Sequence, residues 1–500
     1  MSASVDTDRS SSTGSRRSNK GIILLLCCMA QFMVVLDVSI VLVALPQMRH
    51  DLGLSASGEQ WVVNAYTLTF AGLLMLGGRA ADLWGRKRVF MVGLAVFTIC
   101  SLIGGLSQSG TWLIGARALQ GVGGAILAPS TLSLLTTTFT EANERRRAIG
   151  AWSATAASGA AIGVLLGGVL TDLLDWRWVL FVNVPIGVAL LAICVLTVAE
   201  SKGSVTRGGL DLPGAVTVTG GAAVLVYGIV NTDAHPWGST QTVLTLAAGV
   251  VLLGLFLLIE SRVAHPLVPL GIFHRRSLSS ANGVAVAIGI ALYGSYFFVS
   301  LYLQQIAGYS PLVAGLATLP AGLATLVAAL SGPRVVQVLG ARRQLVLGTV
   351  VAAGGVAWMS FLQVGDGYFV HLLGPLVLLG GGLGLSFLPM TLAATAGVPP
   401  HQAGLASGLI NTTRQMGGAI GLAALATIAA GAIPHLAHLA GPALLVDQTN
   451  GYDRAFLIAA GVLLAGAVLA LTLPSPRAAA AAAAATSPAV EGEAVMAVGE

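Results

Sequence analysis

Asp37 and Arg117 are the two charged residues of this sequence whose surroundings suggest a chemical role. Asp37 lies in VVLDVSIVLVALP (34–46) and is the only charged side chain between Gly21 and Pro46. A carboxylate in apolar surroundings costs free energy and tends to be protonated, unless a cation or water reaches it. The main hypothesis is therefore that Asp37 binds and releases a proton, with Arg117 modulating it. The alternative is a permanent Asp–Arg bridge that only stabilises the fold.

The elements that must position these two side chains are membrane-spanning helices. Of the 500 residues, 55% are hydrophobic and 9% are charged, whereas a soluble domain carries about 25% charged residues. Apolar runs of at least about 18 residues, each long enough to cross a bilayer as a helix, recur along the chain. The sequence predicts an all-α, polytopic membrane protein with fourteen spans: 21–45, 58–78, 89–107, 112–137, 148–171, 179–199, 212–231, 241–260, 279–303, 312–331, 345–363, 371–394, 405–431 and 454–473.

The depths of the two charged groups place them in the same half of the membrane. Asp37 lies about 16 residues into span 1, roughly 24 Å from its start at about 1.5 Å per residue. Arg117 lies about 5 residues into span 4, roughly 8 Å from the other side of the membrane. The two groups can therefore meet, and we place no other acidic residue as deep in a span as Asp37.

The basic residues predict the orientation of the spans. If the N-terminus is cytoplasmic, inside segments carry 20 of the 25 Lys and Arg residues, outside loops carry three, and two lie within spans. This distribution follows the positive-inside rule. We expect a multi-pass protein of a bacterial plasma membrane, surrounded by the lipid bilayer, with both termini in the cytoplasm.

The sequence gives no indication of catalysis or of a bound cofactor. The basic residues are spread over loops, which argues against nucleic acid binding. The four cysteines all lie in apolar runs and lack a metal-binding or redox spacing. A phosphate-binding glycine–lysine loop is absent, so direct ATP hydrolysis is not expected. We expect no cofactor, no metal and no enzymatic activity, and we favour a monomer.

Two short similarities indicate an internal repeat. The stretch GRAADLWGRKR (78–88) matches GPRVVQVLGARR (332–343) at an offset of 255 residues, and GAAIG (159–163) matches GGAIG (417–421) at an offset of 258. Each match pairs span n with span n+8, which predicts two six-helix bundles of the same orientation with spans 7 and 8 inserted between them. The expected division is a disordered N-terminus 1–20, a first bundle 21–200, the inserted helices 201–275, a second bundle 276–474 and a disordered tail 475–500.

The chain resembles the fourteen-span drug:proton antiporters of the major facilitator superfamily. The likeness is carried by LDVSIVLVALP (36–46), GRAADLWGRKR (78–88), RALQGVGGAILAP (117–129), GAAIGVLLGG (159–168), WRWVLFVNVPIG (176–187), LDLPG (210–214), HPLVPL (265–270) and GLASGLINTTRQMGGAIG (404–421). The chain departs from the family pattern at Leu42, where asparagine is usual, and at Val164, where proline is usual. Without that proline, any bend in span 5 should be weaker.

The resemblance implies a function. It implies a transporter that exports hydrophobic or amphipathic drugs in exchange for protons by alternating access, so the expected partners are a small-molecule substrate and protons. Two other interpretations remain: a dedicated exporter of one metabolite or of an antibiotic that the cell itself makes, and a non-transporting membrane sensor or scaffold.

The 78–88 loop contains the residues expected to control the opening of one face. Gly78 and Gly85 permit a tight turn between spans, Asp82 could face a helix N-terminus, and Arg86 could bridge to an acidic partner. The resemblance implies that these residues hold the inner face shut. The alternative is that the basic residues of the loop only set the topology.

Span 5 carries glycines that can pack against a neighbouring helix. Gly159, Gly163, Gly167 and Gly168 are spaced by four, four and one residues, so three of them share one helical face. Small residues on one face allow close approach of helices in a membrane. The resemblance adds a role in sealing the two halves against leak.

Spans 9 and 13 carry the candidate substrate contacts. Tyr293, Tyr296 and Phe297 share a face of span 9 and could stack a flat or cationic drug, although an aromatic belt at the outer interface would use the same residues. Arg414, with Asn411 close by, lies toward the middle of span 13 and is a candidate by its position alone. It would bind an anionic group of the substrate or anchor helix packing.

Overall fold

The structure is a computed structural model that describes residues 20–200, 209–233, 235–398, 402–431 and 442–473. Within these ranges the regular structure is helical and forms fourteen long helices, as expected. They are α1 Lys20–Leu52, α2 Ala56–Trp84, α3 Arg86–Gly105, α4 Gly110–Thr138, α5 Ala142–Leu173, α6 Trp178–Thr197, α7 Leu212–Val230, α8 Thr240–Arg262, α9 Arg276–Ile306, α10 Pro311–Leu339, α11 Ala341–Met359, α12 Tyr368–Thr395, α13 Ala403–Gly431 and α14 Pro442–Ala470. The expected disordered ends, 1–20 and 475–500, lie outside the described residues except for Lys20, which begins α1.

Apolar composition makes these segments helical, because a helix satisfies its own backbone hydrogen bonds inside a bilayer. Twelve of the described helices are long and apolar enough to span a membrane. The other two, α11 and α13, carry charged or amide side chains within the helix. Serines cap several helix starts: Ser55, for example, accepts from Gly58 N at the start of α2.

Some helices are interrupted or extend past the predicted spans. α6 is interrupted at Val182 and α12 at Leu372, and α9 ends in a π-helical turn, Tyr302–Ile306. α14 begins at Pro442, earlier than the predicted start at 454. Hydropathy detects only the apolar part of a helix, whereas the backbone can stay helical through the polar residues beyond it.

The two halves of the chain repeat one packing scheme. α1 packs on α5, α2 on α4 and α3 on α6, and the same contacts recur eight helices later between α9 and α13, α10 and α12, and α11 and α14. The turn from α2 to α3 passes through Gly85 at φ 103°, and the matching turn from α10 to α11 passes through Gly340 at φ 78°. Both angles fall where glycine is favoured. The predicted fold, two parallel six-helix bundles with two inserted helices, is confirmed.

The two bundles meet along two helix–helix seams, and the internal repeat maps one seam onto the other. α5 packs on α10, and α2 packs on α13. The inserted α7 packs on both members of the second seam, and α8 packs on α7. A Cβ on Gly72 of α2 would collide with Thr219 of α7, so these two helices are in close contact. The inserted helices thus lie beside the α2–α13 seam, where they touch both bundles.

The two ends of the molecule are named by their connections. The end that carries the α2–α3 turn at Gly85 is called the turn face, and the other end is the opposite face. At the opposite face, Ser300 of α9 donates to the Leu42 carbonyl of α1 at 2.8 Å, and Gln304 donates to the Val43 carbonyl at 3.0 Å. These hydrogen bonds close the first bundle against the second.

Candidate functional site

Asp37 and Arg117 meet inside the first bundle. Arg117 Nη1 donates to Asp37 Oδ2 at 2.5 Å, and the two side chains are 2% and 0% exposed. Asp37 Oδ1 accepts two further hydrogen bonds, from Gln120 Nε2 at 2.7 Å and from Asn183 Nδ2 at 2.9 Å. Three donors therefore surround one carboxylate, and this arrangement matches an ionised group, which only accepts hydrogen bonds.

Ser101 completes this group of side chains. Its hydroxyl accepts from Gln120 Nε2 at 2.6 Å and from Asn183 Nδ2 at 3.2 Å. Asp37, Ser101, Arg117, Gln120 and Asn183 are all buried, and together they are called the Asp37 cluster. Its members come from α1, α3, α4 and α6, so the cluster joins four helices of the first bundle at one point.

Arg117 is held on its other sides as well. Its Nε donates to the Val62 carbonyl at 3.3 Å, its Nη1 also donates to Gln120 Oε1 at 2.7 Å, and its guanidinium lies 4.4 Å from the centre of the Tyr66 ring. Val62 and Tyr66 belong to α2. The arginine thus links α2 to the Asp37 cluster through a backbone hydrogen bond and a cation–π contact.

The glycines that follow Arg117 explain why the helices come this close. A Cβ on Gly121 would collide with the Tyr66 carbonyl, and one on Gly123 would lie 2.5 Å from Phe97 N of α3. The backbone of α4 therefore touches both neighbours without side chains between them. Arg117, one turn before Gly121, and the adjacent Gln120 then reach across to α1 and α3.

Sequence reasoning found two members of the cluster and missed three. Gln120, Asn183 and Ser101 are neutral polar side chains, a type that is common in membrane helices and conspicuous only when several face one point. Two signals were available: Gln120 lies one turn after Arg117 on the same helix face, and Asn183 lies in the quoted motif 176–187. Asn183 Oδ1 and Tyr66 Oη are buried and have no hydrogen-bond partner among the described residues.

At the turn face, the predicted gating residues of the 78–88 loop form contacts within the first bundle. Arg86 Nε donates to Ser133 Oγ of α4 at 2.9 Å, and Arg86 Nη2 lies 3.7 Å from Asp82 Oδ1. The acidic partner of Arg86 is thus Asp82 of the same loop, and in the described part of the chain no helix-cap bond from Asp82 is seen. Gly78 lies against α4, where a Cβ would be 3.5 Å from Pro129 Cβ.

Glu200, just after α6, binds the start of α3 from the other side. Its Oε1 accepts from the backbone N of Lys87 at 3.2 Å, and its Oε2 lies 3.6 Å from Arg88 Nε. A carboxylate at a helix N-terminus is stabilised by the helix dipole. The position that we expected Asp82 to occupy is therefore filled by Glu200.

The glycines of α5 contact two different helices. A Cβ on Gly159 would lie 3.2 Å from the Phe32 carbonyl, and Gly163 and Gly167 likewise face α1. Gly168 faces the second bundle instead, where a Cβ would lie 2.5 Å from the Pro311 carbonyl of α10. The Val164 carbonyl, where the family usually has proline, lies 2.8 Å from the Cβ position of Gly315. α5 remains one uninterrupted helix.

The aromatic residues of α9 do not form one wall. Tyr296 lines a small cleft between the bundles together with Leu42, Val164 and Thr318. Phe297 is buried against Phe298, with their ring centroids 5.4 Å apart, and does not line this cleft. Tyr293 is buried and its hydroxyl donates to Gln415 of α13. The structure thus separates three residues that the sequence places on one face.

Arg414 is positioned by neutral groups. Its Nη2 donates to Asn411 Oδ1 at 2.7 Å, and its guanidinium lies 5.4 Å from the centre of the Phe387 ring. Among the described residues, no carboxylate forms an ion pair with it. The residue as a whole is intermediate in exposure.

Comparison with known proteins gives the family. A family model described as Major Facilitator Superfamily matches residues 27–422. The cephamycin export protein CmcT of Amycolatopsis lactamdurans is 43% identical over 464 residues, covering 92% of this chain and 94% of that protein. The puromycin resistance protein pur8 of Streptomyces alboniger is 42% identical over 464 residues and covers 91% of each chain.

Solved structures share the fold at low sequence identity. A peptide transporter POT in complex with sulfate has a TM-score of 0.63 at 15% identity, covering 91% of this chain and 96% of that one. A bacterial homologue of the human lysosomal transporter Spinster, inward-facing and occupied, has a TM-score of 0.62 at 15% identity, covering 91% and 99%. Because the family model and the relatives cover most of its length, the chain belongs to the Major Facilitator Superfamily and is a multi-pass membrane transporter of small molecules.

Proposed function

We propose that this protein exports hydrophobic or amphipathic small molecules, antibiotics among them, in exchange for protons. The observation that supports this most is Asp37, fully buried and held by Arg117 in the centre of the first bundle. A buried ionisable residue in a membrane helix is costly and is typical of ion and proton pathways. The relatives named for export of, or resistance to, cephamycin and puromycin support the substrate class.

Alternating access would come from rocking of the first bundle, 21–200, against the second, 276–474. The inserted segment, 201–275, would follow the α2–α13 seam. We place the basic turn face and both termini in the cytoplasm of a bacterial cell, and we treat the protein as a monomer that needs no cofactor and catalyses no reaction. The hydrogen bonds from α9 to Leu42 and Val43 belong to a state that is closed at the opposite face.

The geometry suggests how proton binding would reach that closed face. Protonation of Asp37 removes the charge that attracts Arg117 and turns an acceptor-only group into a donor. The three hydrogen bonds to Asp37 would then weaken, and α1 would be released from α4 and α6. Leu42 follows Asp37 by five residues on the same helix, so a movement of α1 changes the contact with Ser300. Proton binding and opening would thus be coupled through one helix.

A second candidate is a dedicated exporter of one antibiotic. The names of the two relatives above each refer to a single compound, and this favours a narrow substrate range. The partly accessible Arg414, which has no ion-pair partner in the described ranges, would contribute to such selectivity by choosing compounds with an anionic group. A non-transporting sensor or scaffold would not require a buried ionisable group such as that of the Asp37 cluster.

Growth of a pump-deficient bacterial host on a panel of toxic compounds tests the proposal. Expression of the wild type should raise resistance, and collapse of the proton gradient should abolish the effect. Resistance to many chemically unrelated compounds would favour a multidrug exporter, and resistance to one compound class would favour a dedicated exporter. Asp37→Asn should reach the membrane at the wild-type level without conferring resistance. Protection that survives loss of the proton gradient would contradict the coupling.

A further inference from the structure

Two buried carboxyl groups lie at the turn-face ends of the inserted helices. Asp211 precedes α7 and caps it, because its Oδ1 accepts from Gly214 N at 2.8 Å. Glu260 lies near the end of α8, and its Oε2 accepts from Val268 N at 3.0 Å. Each residue is only 3% exposed. Both carboxyl groups are therefore removed from water. In each of them, one oxygen accepts a hydrogen bond from a backbone N–H.

The second oxygen of each carboxyl group accepts no hydrogen bond. Asp211 Oδ2 and Glu260 Oε1 are buried and have no hydrogen-bond partner in the described structure. A Cβ on Gly221 of α7 would meet Leu253 of α8, and one on Gly228 would meet Leu246. This antiparallel register sets the start of α7, where Asp211 caps Gly214, opposite Glu260. Two ionised carboxylates in contact repel each other, and burial strengthens this repulsion. A single proton on either group makes it a donor to the other. Two buried carboxyl groups on facing helix ends, each with one unpartnered oxygen, therefore point to a shared proton.

The charged groups nearby do not replace that proton. Arg79 of α2 donates its Nη1 to the Pro266 carbonyl at 3.4 Å. Arg262 and His265, at the end of α8 and in the following connection, are exposed. In the described ranges, none of these three forms an ion pair with Asp211 or Glu260. Within the described part of the chain, the pair thus has no ion-pair partner to balance two negative charges.

The pair is connected to the loop that we expect to act as a gate. Leu210, next to Asp211, packs on Ala80 and Ala81 of α2 and on Val89 of α3. Pro266, in the connection that Glu260 fastens through Val268, is bound by Arg79. Both sides of the pair therefore contact the helices that flank the α2–α3 turn.

We propose that Asp211 and Glu260 form a second proton-binding site, separate from Asp37, that fastens the inserted helices to the α2–α3 turn. With one shared proton the two carboxyl groups bind each other and hold Leu210 and Pro266 against the gate. When the proton leaves, the groups repel and the attachment weakens. The inserted helices would thus make the turn face sensitive to pH. This proposal goes beyond the exporter function and does not depend on Asp37.

Infrared spectroscopy of the purified protein tests the shared proton. The measurement uses the Asp37→Asn protein, so that Asp37 contributes no signal and the result is independent of the exporter proposal. A protonated carboxyl band that shifts in heavy water is expected at neutral pH. It should disappear in both Asp211→Asn and Glu260→Gln, because the remaining carboxylate then accepts from an amide, and it should remain in the exposed control Glu141→Gln. Absence of the band, or its persistence in Asp211→Asn, would overturn the proposal.

The pH dependence of unfolding gives a second, independent readout. The shared proton stabilises the folded state at low pH, and this stabilisation is lost as the pH rises and the pair deprotonates. The midpoint of thermal unfolding should therefore fall toward high pH in the wild type. Asp211→Asn and Glu260→Gln provide a permanent amide donor and should flatten this fall, whereas Glu141→Gln should keep it. Equal slopes in all four proteins would contradict a shared proton.

Discussion

Arg117 donates to Asp37 at 2.5 Å in the interior of the first bundle, where both side chains are excluded from water. The pair is not isolated, because Gln120 and Asn183 supply the remaining donors to Asp37. In the proposed function, a proton would bind Asp37 only if this arrangement loosened. The cluster would then couple a change of charge to a change in the contacts among α1, α4 and α6.

Removal of Arg117 should destabilise the protein strongly. Arg117→Ala leaves a buried carboxylate without its cation, and breaking a buried ion pair in this way costs about 3–5 kcal/mol. Arg117→Lys restores the charge but not the contacts to Val62 and Gln120, and it should be intermediate. Unfolding in detergent is the measurement, with exposed Arg334→Ala as the control. An Arg117→Ala protein as stable as the control would show that Asp37 is uncharged in this state.

Loss of either amide donor should move the pH dependence of export upward. Gln120→Met and Asn183→Leu keep the approximate volume but remove a hydrogen bond to an ionised group, worth about 1.5–3 kcal/mol. The ionised form of Asp37 is destabilised by the loss of a donor, so the pH profile of export should shift upward relative to that of the wild type. The matched control is Gln344→Met, because Gln344 is buried in the second bundle and bonds the Leu385 carbonyl. A pH profile of export identical to that of the control would show that Gln120 and Asn183 do not take part in proton coupling.

Gly168 should be intolerant of a side chain because it lies at the seam between the bundles. In Gly168→Val the added atoms meet the Pro311 carbonyl and Leu312 Cα, at 2.5 and 3.0 Å from the Cβ position, and overpacking of this kind costs about 1–3 kcal/mol. The opposite face should open, so a cysteine introduced at Ser310 should react faster with a polar thiol reagent while export falls. Gly254→Val is the control, since nothing lies within 4 Å of its Cβ position. Unchanged labelling would mean that the α5–α10 seam accommodates the valine side chain without opening the opposite face.

Substitution of Arg414 should lower the affinity for anionic substrates and leave the affinity for neutral substrates unchanged. Its loss removes a charged hydrogen bond of about 1.5–3 kcal/mol, which corresponds to a rise in KM of about tenfold or more. Arg414→Ala should therefore impair export of a carboxylate-bearing compound but not of its methyl ester, and Arg334→Ala should impair neither. Equal losses for acid and ester would assign Arg414 to packing beside Asn411 and Phe387.

The helices were predictable from sequence because long apolar runs have few alternatives in a membrane. Their polar extensions were not, as the early start of α14 at Pro442 illustrates, because no hydropathy signal marks them. The meeting of Asp37 with Arg117 followed from their depths in spans 1 and 4. The roles of Gln120, Asn183 and Glu200 in the contacts could not be predicted, because side-chain partners depend on how each helix is rotated about its axis.

Proton release on substrate binding tests the central claim most directly. If Asp37 carries the coupling proton, substrate binding and proton binding must affect each other reciprocally. Addition of substrate to purified wild-type protein, equilibrated in a weakly buffered solution at a pH low enough for Asp37 to carry a proton, should release about one proton per molecule. Asp37→Asn should bind the substrate without releasing protons, and the exposed variant Glu141→Gln should behave as the wild type. Proton release by Asp37→Asn equal to that of the wild type would contradict the account.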